Sequence, residues 1–92
     1  MSGRNLGFRI IFSSKAARQL KKLDRNIQEK IRQAVETNLQ TFPPSGDVVK
    51  LEGLSGVYRL RVGDWRVTFR YNFHEKEVHI AEVVNRRDAY RN

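Results

Sequence analysis

Between Val57 and Tyr71 apolar and polar side chains alternate one by one. Val57-Tyr58-Arg59-Leu60-Arg61-Val62 is followed by Trp65-Arg66-Val67-Thr68-Phe69-Arg70-Tyr71, with Gly63-Asp64 between them. A period of two marks a half-buried strand, and a two-residue break containing glycine marks a tight hairpin. Such a loop fixes the register: Val62 falls opposite Trp65, Leu60 opposite Val67 and Tyr58 opposite Phe69, which gathers the apolar pairs on one face. The other face receives Arg61 opposite Arg66, Arg59 opposite Thr68 and Val57 opposite Arg70. Like charges directly across an antiparallel pair destabilise it, so folding alone would not select this face. A bound anion would supply the reason; the alternative is a solvated face whose arginines spread into water.

The rest of the chain divides by the same logic. Phe8-Arg9-Ile10-Ile11-Phe12-Ser13 reads as a strand with apolar residues on both sides, which predicts burial on both. Ser13 or Ser14 then caps a helix running to about Leu23, with Ala16, Ala17, Leu20 and Leu23 inward. Asp24 caps a second helix, whose stripe is Ile27, Ile31, Ala34, Val35, Asn38, Leu39 and Phe42, and Pro43-Pro44 ends it. Val48-Val49-Lys50-Leu51-Glu52 is the next strand, Gly53 to Gly56 a turn into the hairpin, Asn72 to Lys76 a second turn, and Val78 to Val84 the last strand. The polar tail from Asn85 to Asn92 has room for one helical turn. The predicted fold class is α+β, in the order β-α-α-β-β-β-β with a short C-terminal turn: a helical hairpin on one face of an antiparallel meander, with the arginines on the other.

With 92 residues the chain suits one domain, 1–92, whose residues 1–7 read as a flexible lead-in. Cysteine is absent, so disulfides and thiolate metal sites play no part. The 18 Lys and Arg outnumber the 10 Asp and Glu, for a net charge of +8, which favours a polyanionic partner such as nucleic acid. No apolar run approaches a membrane span and residues 1–7 contain no signal core, so the expected location is the cytoplasm, with no membrane partner. Lys15, Arg18, Lys21, Lys22 and Arg25 alternate with the helical stripe and read as a solvated face or a secondary basic surface. Asp64, Glu75, Glu77 and Asp88 fall in turns, a strand start or the tail, which predicts an arginine face without interleaved acids. Tyr58 and Trp65 belong to the core side. His74 falls in a turn and His79 in a strand, and this reading gives neither a carboxylate partner.

Leu51-Glu52-Gly53-Leu54, Tyr58 to Val67 and the ending Asn85-Arg86-Arg87-Asp88-Ala89-Tyr90 together resemble the RelE/ParE toxin superfamily of type II toxin–antitoxin systems, and within it the RelE-like mRNA interferases. The resemblance spans nearly the whole chain and includes the element order. It implies a metal-independent, cofactor-free endoribonuclease that enters the ribosomal A site and cuts mRNA by attack of a 2′-hydroxyl on the adjacent phosphate. It also implies a cognate RelB-like antitoxin, in a heterodimer or heterotetramer, with the ribosome and mRNA as further partners. Carried over by position, Arg59 and Arg61 match basic residues of the central strand, Arg66 the arginine after the hairpin turn, Arg86 a basic residue near the end of the last strand, and Tyr90 a base-stacking tyrosine. These five form the implied catalytic set, with Lys50, Arg70 and Arg87 as RNA-binding residues and no metal ligands.

Two departures from the family pattern matter. Arginine at 59 and 61, where lysine is common, suits clamping of a transition state better than proton abstraction, because a guanidinium holds its proton too tightly to serve as a base. Asn85 stands where many relatives carry histidine, which removes a titrating acid or base. Two other classes stay open: a ParE-like inhibitor of DNA gyrase, and a non-catalytic nucleic-acid-binding relic of the fold.

Overall fold

The computed structural model describes residues 7–89. Its elements are β1 (Arg9–Phe12), α1 (Ser14–Lys21), α2 (Arg25–Leu39), β2 (Val48–Lys50), β3 (Val57–Val62), β4 (Trp65–Asn72), β5 (Glu77–Asn85) and α3 (Arg86–Ala89). The five strands form one sheet in the order β1-β5-β4-β3-β2. Strands β2 to β5 are the expected antiparallel meander. β1 extends it into a mixed sheet by running parallel to β5, from Arg9 opposite Glu77 to Phe12 opposite Ile80. It is an edge strand, so Ile10, Ile11 and Phe12 are half-buried rather than enclosed on both sides.

Both helices lie on one face of this sheet. Ser13 caps α1 as expected, its Oγ accepting from the Ala16 amide at 3.0 Å and donating to the Ala81 carbonyl at 3.0 Å. β1 stops opposite Ile80, and α1 takes over beside the freed edge of β5: the Val83 amide donates to Gln19 Oε1 at 2.7 Å. Asp24 occupies the N-cap of α2, but its side chain makes no capping bond. α2 ends at Leu39, three residues short of Phe42, which is 45% exposed. The residue before a proline avoids helical dihedrals, and Phe42 joins Pro43 through a cis peptide. The chain then turns back on Asn38, which receives Ser45 Oγ at 2.8 Å. Gly46, at φ +85, presses so close to that side chain that a Cβ would lie 2.8 Å from Asn38 Cγ.

The core lies between helices and sheet: Ala16 and Leu20 of α1, Ile31, Val35 and Leu39 of α2, and from the sheet Leu60, Val62, Val67, Phe69, Val78, Ile80 and Val83. Each fully buried large side chain contributes about 1.5–3 kcal/mol relative to exposure. Tyr58 stacks on Phe69 with ring centroids 5.6 Å apart, and Trp65 packs half-buried against the same cluster. Tyr71 is bracketed edge-on by Phe8 and Phe42, and its hydroxyl lies 2.9 Å from the Leu39 carbonyl and 3.0 Å from that of Thr41.

The β3–β4 hairpin keeps the register expected of it, pair for pair. Gly63 takes φ +60 while Asp64 stays at negative φ, the pattern of a type II′ turn. β5 departs from simple alternation. Phe69 faces Ile80 but Thr68 faces Glu82, so Ala81 is the extra residue of a bulge. The bulge shifts the parity and brings Val83 inward after Val78 and Ile80.

Candidate functional site

The outer face of the sheet, away from the helices, follows from the same registers. Across β3, β4 and β5 it reads in rows: Arg61, Arg66 and Val84 nearest the hairpin turn, then Arg59, Thr68 and Glu82, then Val57, Arg70 and His79, and finally Asn72 and Glu77 on β4 and β5. β2 adds Val49 beside Arg59, and β1 adds Ile11 beside His79 and Arg9 beside Glu77. The four hairpin arginines therefore share one face. Lys50 does not join them: it pairs with Tyr58 and has the parity of the helix side, at the exposed edge.

The four are not equally open. Arg61 and Arg70 are exposed and Arg59 is half-buried, but Arg66 is only 8% exposed, the buried charged residue of the described chain. The alternative of a face whose arginines all spread into water fails at Arg66. Arg66 sits on the central strand with Arg61 on one side and Val84 on the other, and α3 packs on β4. Holding a guanidinium in such a place costs desolvation, but it also orients the donor before any ligand arrives.

Nor is the face free of acids. Asp47 Oδ2 lies 4.0 Å from Arg61 Nε, and the Arg61 amide donates to the Asp47 carbonyl at 2.9 Å. Glu77 and Glu82 both lie on β5 on this side. Each has a cation outside the hairpin: Glu82 pairs with Lys15 at 2.9 Å, and Glu77 pairs with Arg9. His79 also has a carboxylate, its Nε2 lying 2.8 Å from Glu77 Oε1. Sequence reasoning missed these partners because strands and a helix distant in the chain bring them together; the period-two position of Glu77 and His79 was the available signal.

The C-terminal turn closes on the hairpin. The Arg86 amide donates to the Asp64 carbonyl at 2.6 Å, and Asn85 Oδ1 accepts from the Arg87 amide at 3.0 Å. Asn85, opposite Trp65, thus caps α3. Arg86 and Arg87, both exposed, start this turn beside the row that holds Arg61 and Arg66. Tyr90 lies outside the described residues. Arginine forks donate two hydrogen bonds to one phosphate or carboxylate group, so a buried arginine opposite an exposed one has the chemistry to hold an oxyanion. Among the described residues no three of His, Cys, Asp and Glu group as metal ligands, and no helix is long and apolar enough to cross a membrane.

A two-layer α+β domain with a basic outer sheet face is the class that this geometry defines. The family model for the ParE toxin of type II toxin–antitoxin systems matches residues 10–90. The chain belongs to that family, within the RelE/ParE superfamily, and is a toxin of the type II class. A curated relative from Methanocaldococcus jannaschii, "Putative toxin RelE1", is 28% identical over 88 residues, covering 92% of this chain and 97% of the relative. Similar solved structures include the RelBE2 toxin–antitoxin complex of Mycobacterium tuberculosis, with TM-score 0.73, 24% identity and coverage of 92% of this chain and 98% of the other. The archaeal RelE–RelB complex of Pyrococcus horikoshii OT3 gives TM-score 0.68, 26% identity and coverage of 88% and 97%.

Proposed function

We propose that this toxin is a ribosome-dependent endoribonuclease that cuts mRNA, held in check by a RelB-like antitoxin. The observation that carries this reading is the Arg61–Arg66 pair, one guanidinium buried and one exposed, with Arg86 beside it at the hairpin turn. In the proposed reaction the ribose 2′-oxygen forms a bond to phosphorus as the bond to the 5′-oxygen breaks. The 2′-hydroxyl loses its proton and the departing oxygen gains one, leaving a 2′,3′-cyclic phosphate and a 5′-hydroxyl. The pentacoordinate transition state carries more charge on its oxygens than the diester, so fixed guanidinium donors stabilise it selectively. Arg59 extends the basic track, and Tyr90 is the proposed stacking partner for a base.

Asn85 supplies no proton, because its side chain is an amide already engaged in capping. Among the described residues this end thus offers clamping cations but no histidine, and in the proposed reaction in-line alignment comes from a template that pins the mRNA, as the ribosome does. The ParE name of the family model supports a second reading, in which the basic face serves inhibition of DNA gyrase. Mapping mRNA 5′ ends in a translating extract separates the two. Cuts that disappear with Arg61→Ala support the nuclease, whereas intact mRNA together with loss of gyrase supercoiling activity overturns it.

A further inference from the structure

At the end of the outer face farthest from the hairpin turn, the sheet and two loops enclose a concavity of about 620 Å³. Arg70, His74, His79, Asn72 and Ser55 are among its lining residues. Arg70 and His79 are cross-strand partners, which places their Cβ atoms about 4.5–5.5 Å apart. The nearby carboxylate, Glu77, is turned to Arg9 and to His79 Nε2. Among the described residues Arg70 has no carboxylate within ion-pair distance. Glu77 is thus shared between Arg9 and His79, and Arg70 has no acid of its own among the described residues.

We infer that this concavity is a second phosphate seat for the same single-stranded RNA, filled with uptake of a proton at His79. The proton follows from hydrogen-bond bookkeeping. An ionised carboxylate only accepts, so the bond to Glu77 assigns the hydrogen to Nε2. Neutral His79 then has only a lone pair at Nδ1 and no second hydrogen to donate to a phosphate; only the imidazolium carries an N–H on both nitrogens. Protonated His79 faces Arg70 from β4, Ile11 from β1 and His74 from the β4–β5 turn, with Glu77 on its own strand and Arg9 behind Glu77. One acid is set among several cations, and a bound anion supplies the missing negative charge. From Arg66 to Arg70 is four residues along β4, ~13 Å at the usual strand rise, more than one nucleotide step. The seat would therefore hold a different phosphate from the one at the hairpin turn.

This seat rests on the RNA-cleaving reading, and the test separates the two. The purified toxin is titrated with a labelled single-stranded oligouridylate at several salt concentrations, from about pH 8 to about pH 6. Wild-type affinity rises on acidification, on the order of tenfold for one coupled proton per pH unit at most. Arg70→Ala lowers the slope of log affinity against log salt by about one, while Arg70→Lys retains it. His79→Gln removes most of the pH response, and His74→Gln leaves most of it. A pH response that survives His79→Gln, or a salt slope unchanged by Arg70→Ala, overturns the seat. An equal pH response with duplex DNA overturns its assignment to single-stranded RNA. If Arg61→Ala leaves affinity and cleavage untouched while Arg70→Ala and His79→Gln act as stated, the seat stands and the placement of the scissile phosphate fails.

Discussion

On the helix-facing side of the β3–β4 hairpin each cross-strand pair is apolar, whereas on the outer side the pairs are Arg61 with Arg66, Arg59 with Thr68 and Val57 with Arg70. One backbone and one register set both faces, yet the first is stabilised by its own contacts and the second opposes itself. Leu60, Val67 and Phe69 are at most 1% exposed and gain by leaving water; Arg61 and Arg66 face one another at a cost. A sheet face that works against folding has its explanation outside the fold, in a partner that supplies negative charge. Under the proposed function that partner is an RNA phosphate in the act of cleavage, or acidic groups of an antitoxin in the resting complex.

The comparison breaks most severely on the apolar side. Phe69→Ala removes a ring from the centre of the core and is expected to cost about 3–5 kcal/mol, a large share of the ~5–15 kcal/mol that stabilises a domain of this kind. Urea denaturation should show the loss, and every activity should fall with the folded fraction. A variant that keeps its unfolding midpoint would show that the core is not where the buried pairs put it.

Arg61→Ala attacks the other side. Removing a donor aimed at developing negative charge typically costs ~2.7–4 kcal/mol in the transition state, a rate loss of about 10²–10³. Folding stability should change by no more than ~0.5 kcal/mol, because Arg61 is exposed and its pair with Asp47 is long and solvated. Arg66→Ala differs, since this side chain is buried: cleavage and stability should both fall, and Arg66→Lys should restore stability more than rate. Cleavage kinetics beside thermal melts distinguish these patterns. Equal stability losses for the two alanine variants would remove the distinction between a buried and an exposed member of the clamp.

How much of this was legible in the chain depended on how local the cause was. The hairpin register followed from strict alternation and a two-residue loop, and the structure reproduces each pair. The Ser13 cap and the inward stripe of α2 were equally local. What escaped was set by distant segments or by one-residue irregularities. The parallel docking of β1 on β5 has no signature in either strand alone. The bulge at Ala81 was visible only as a slip in the apolar phase between Ile80 and Val83. At the candidate site the residue types were readable, but the burial of Arg66 was not, because a central position is a property of the sheet order. The Glu77–His79 and Glu82–Lys15 pairs stayed hidden for a related reason, since alternation predicts which face a residue takes but not which neighbour claims it.

A smaller effect sharpens the boundary where helix and sheet meet. Ser13→Ala removes a hydroxyl that both caps α1 and donates to the bulge carbonyl of Ala81, at an expected cost of about 0.5–2 kcal/mol. Ser13 lies away from the hairpin arginines, so the specific cleavage rate of the folded protein should not change. A rate loss beyond the loss of folded fraction would show that the bulge positions the outer face.

The smallest effect concerns Tyr71, a polar group on the apolar side of the sheet. Its phenol is pushed from the usual value of about 10 up to about 12, by burial first and then by the neighbouring Tyr58. The folded state therefore keeps this proton at a pH where the unfolded chain releases it. Below about pH 10 both states are protonated and the group contributes no pH dependence. Between about 10 and about 12 the unfolded state binds fewer protons, so stability falls as pH rises through that window. Tyr71→Phe removes the hydroxyl that donates toward the Leu39 and Thr41 carbonyls, at a cost near neutral pH of about 0.5–1.5 kcal/mol. It should also flatten the alkaline loss, so the two stability curves converge as pH rises. Urea midpoints measured across that window for both proteins provide the check. A steeper alkaline loss in the phenylalanine variant would mean that the phenol does not hold its proton against unfolding, and that the aromatic cluster around it is wetter than its packing implies.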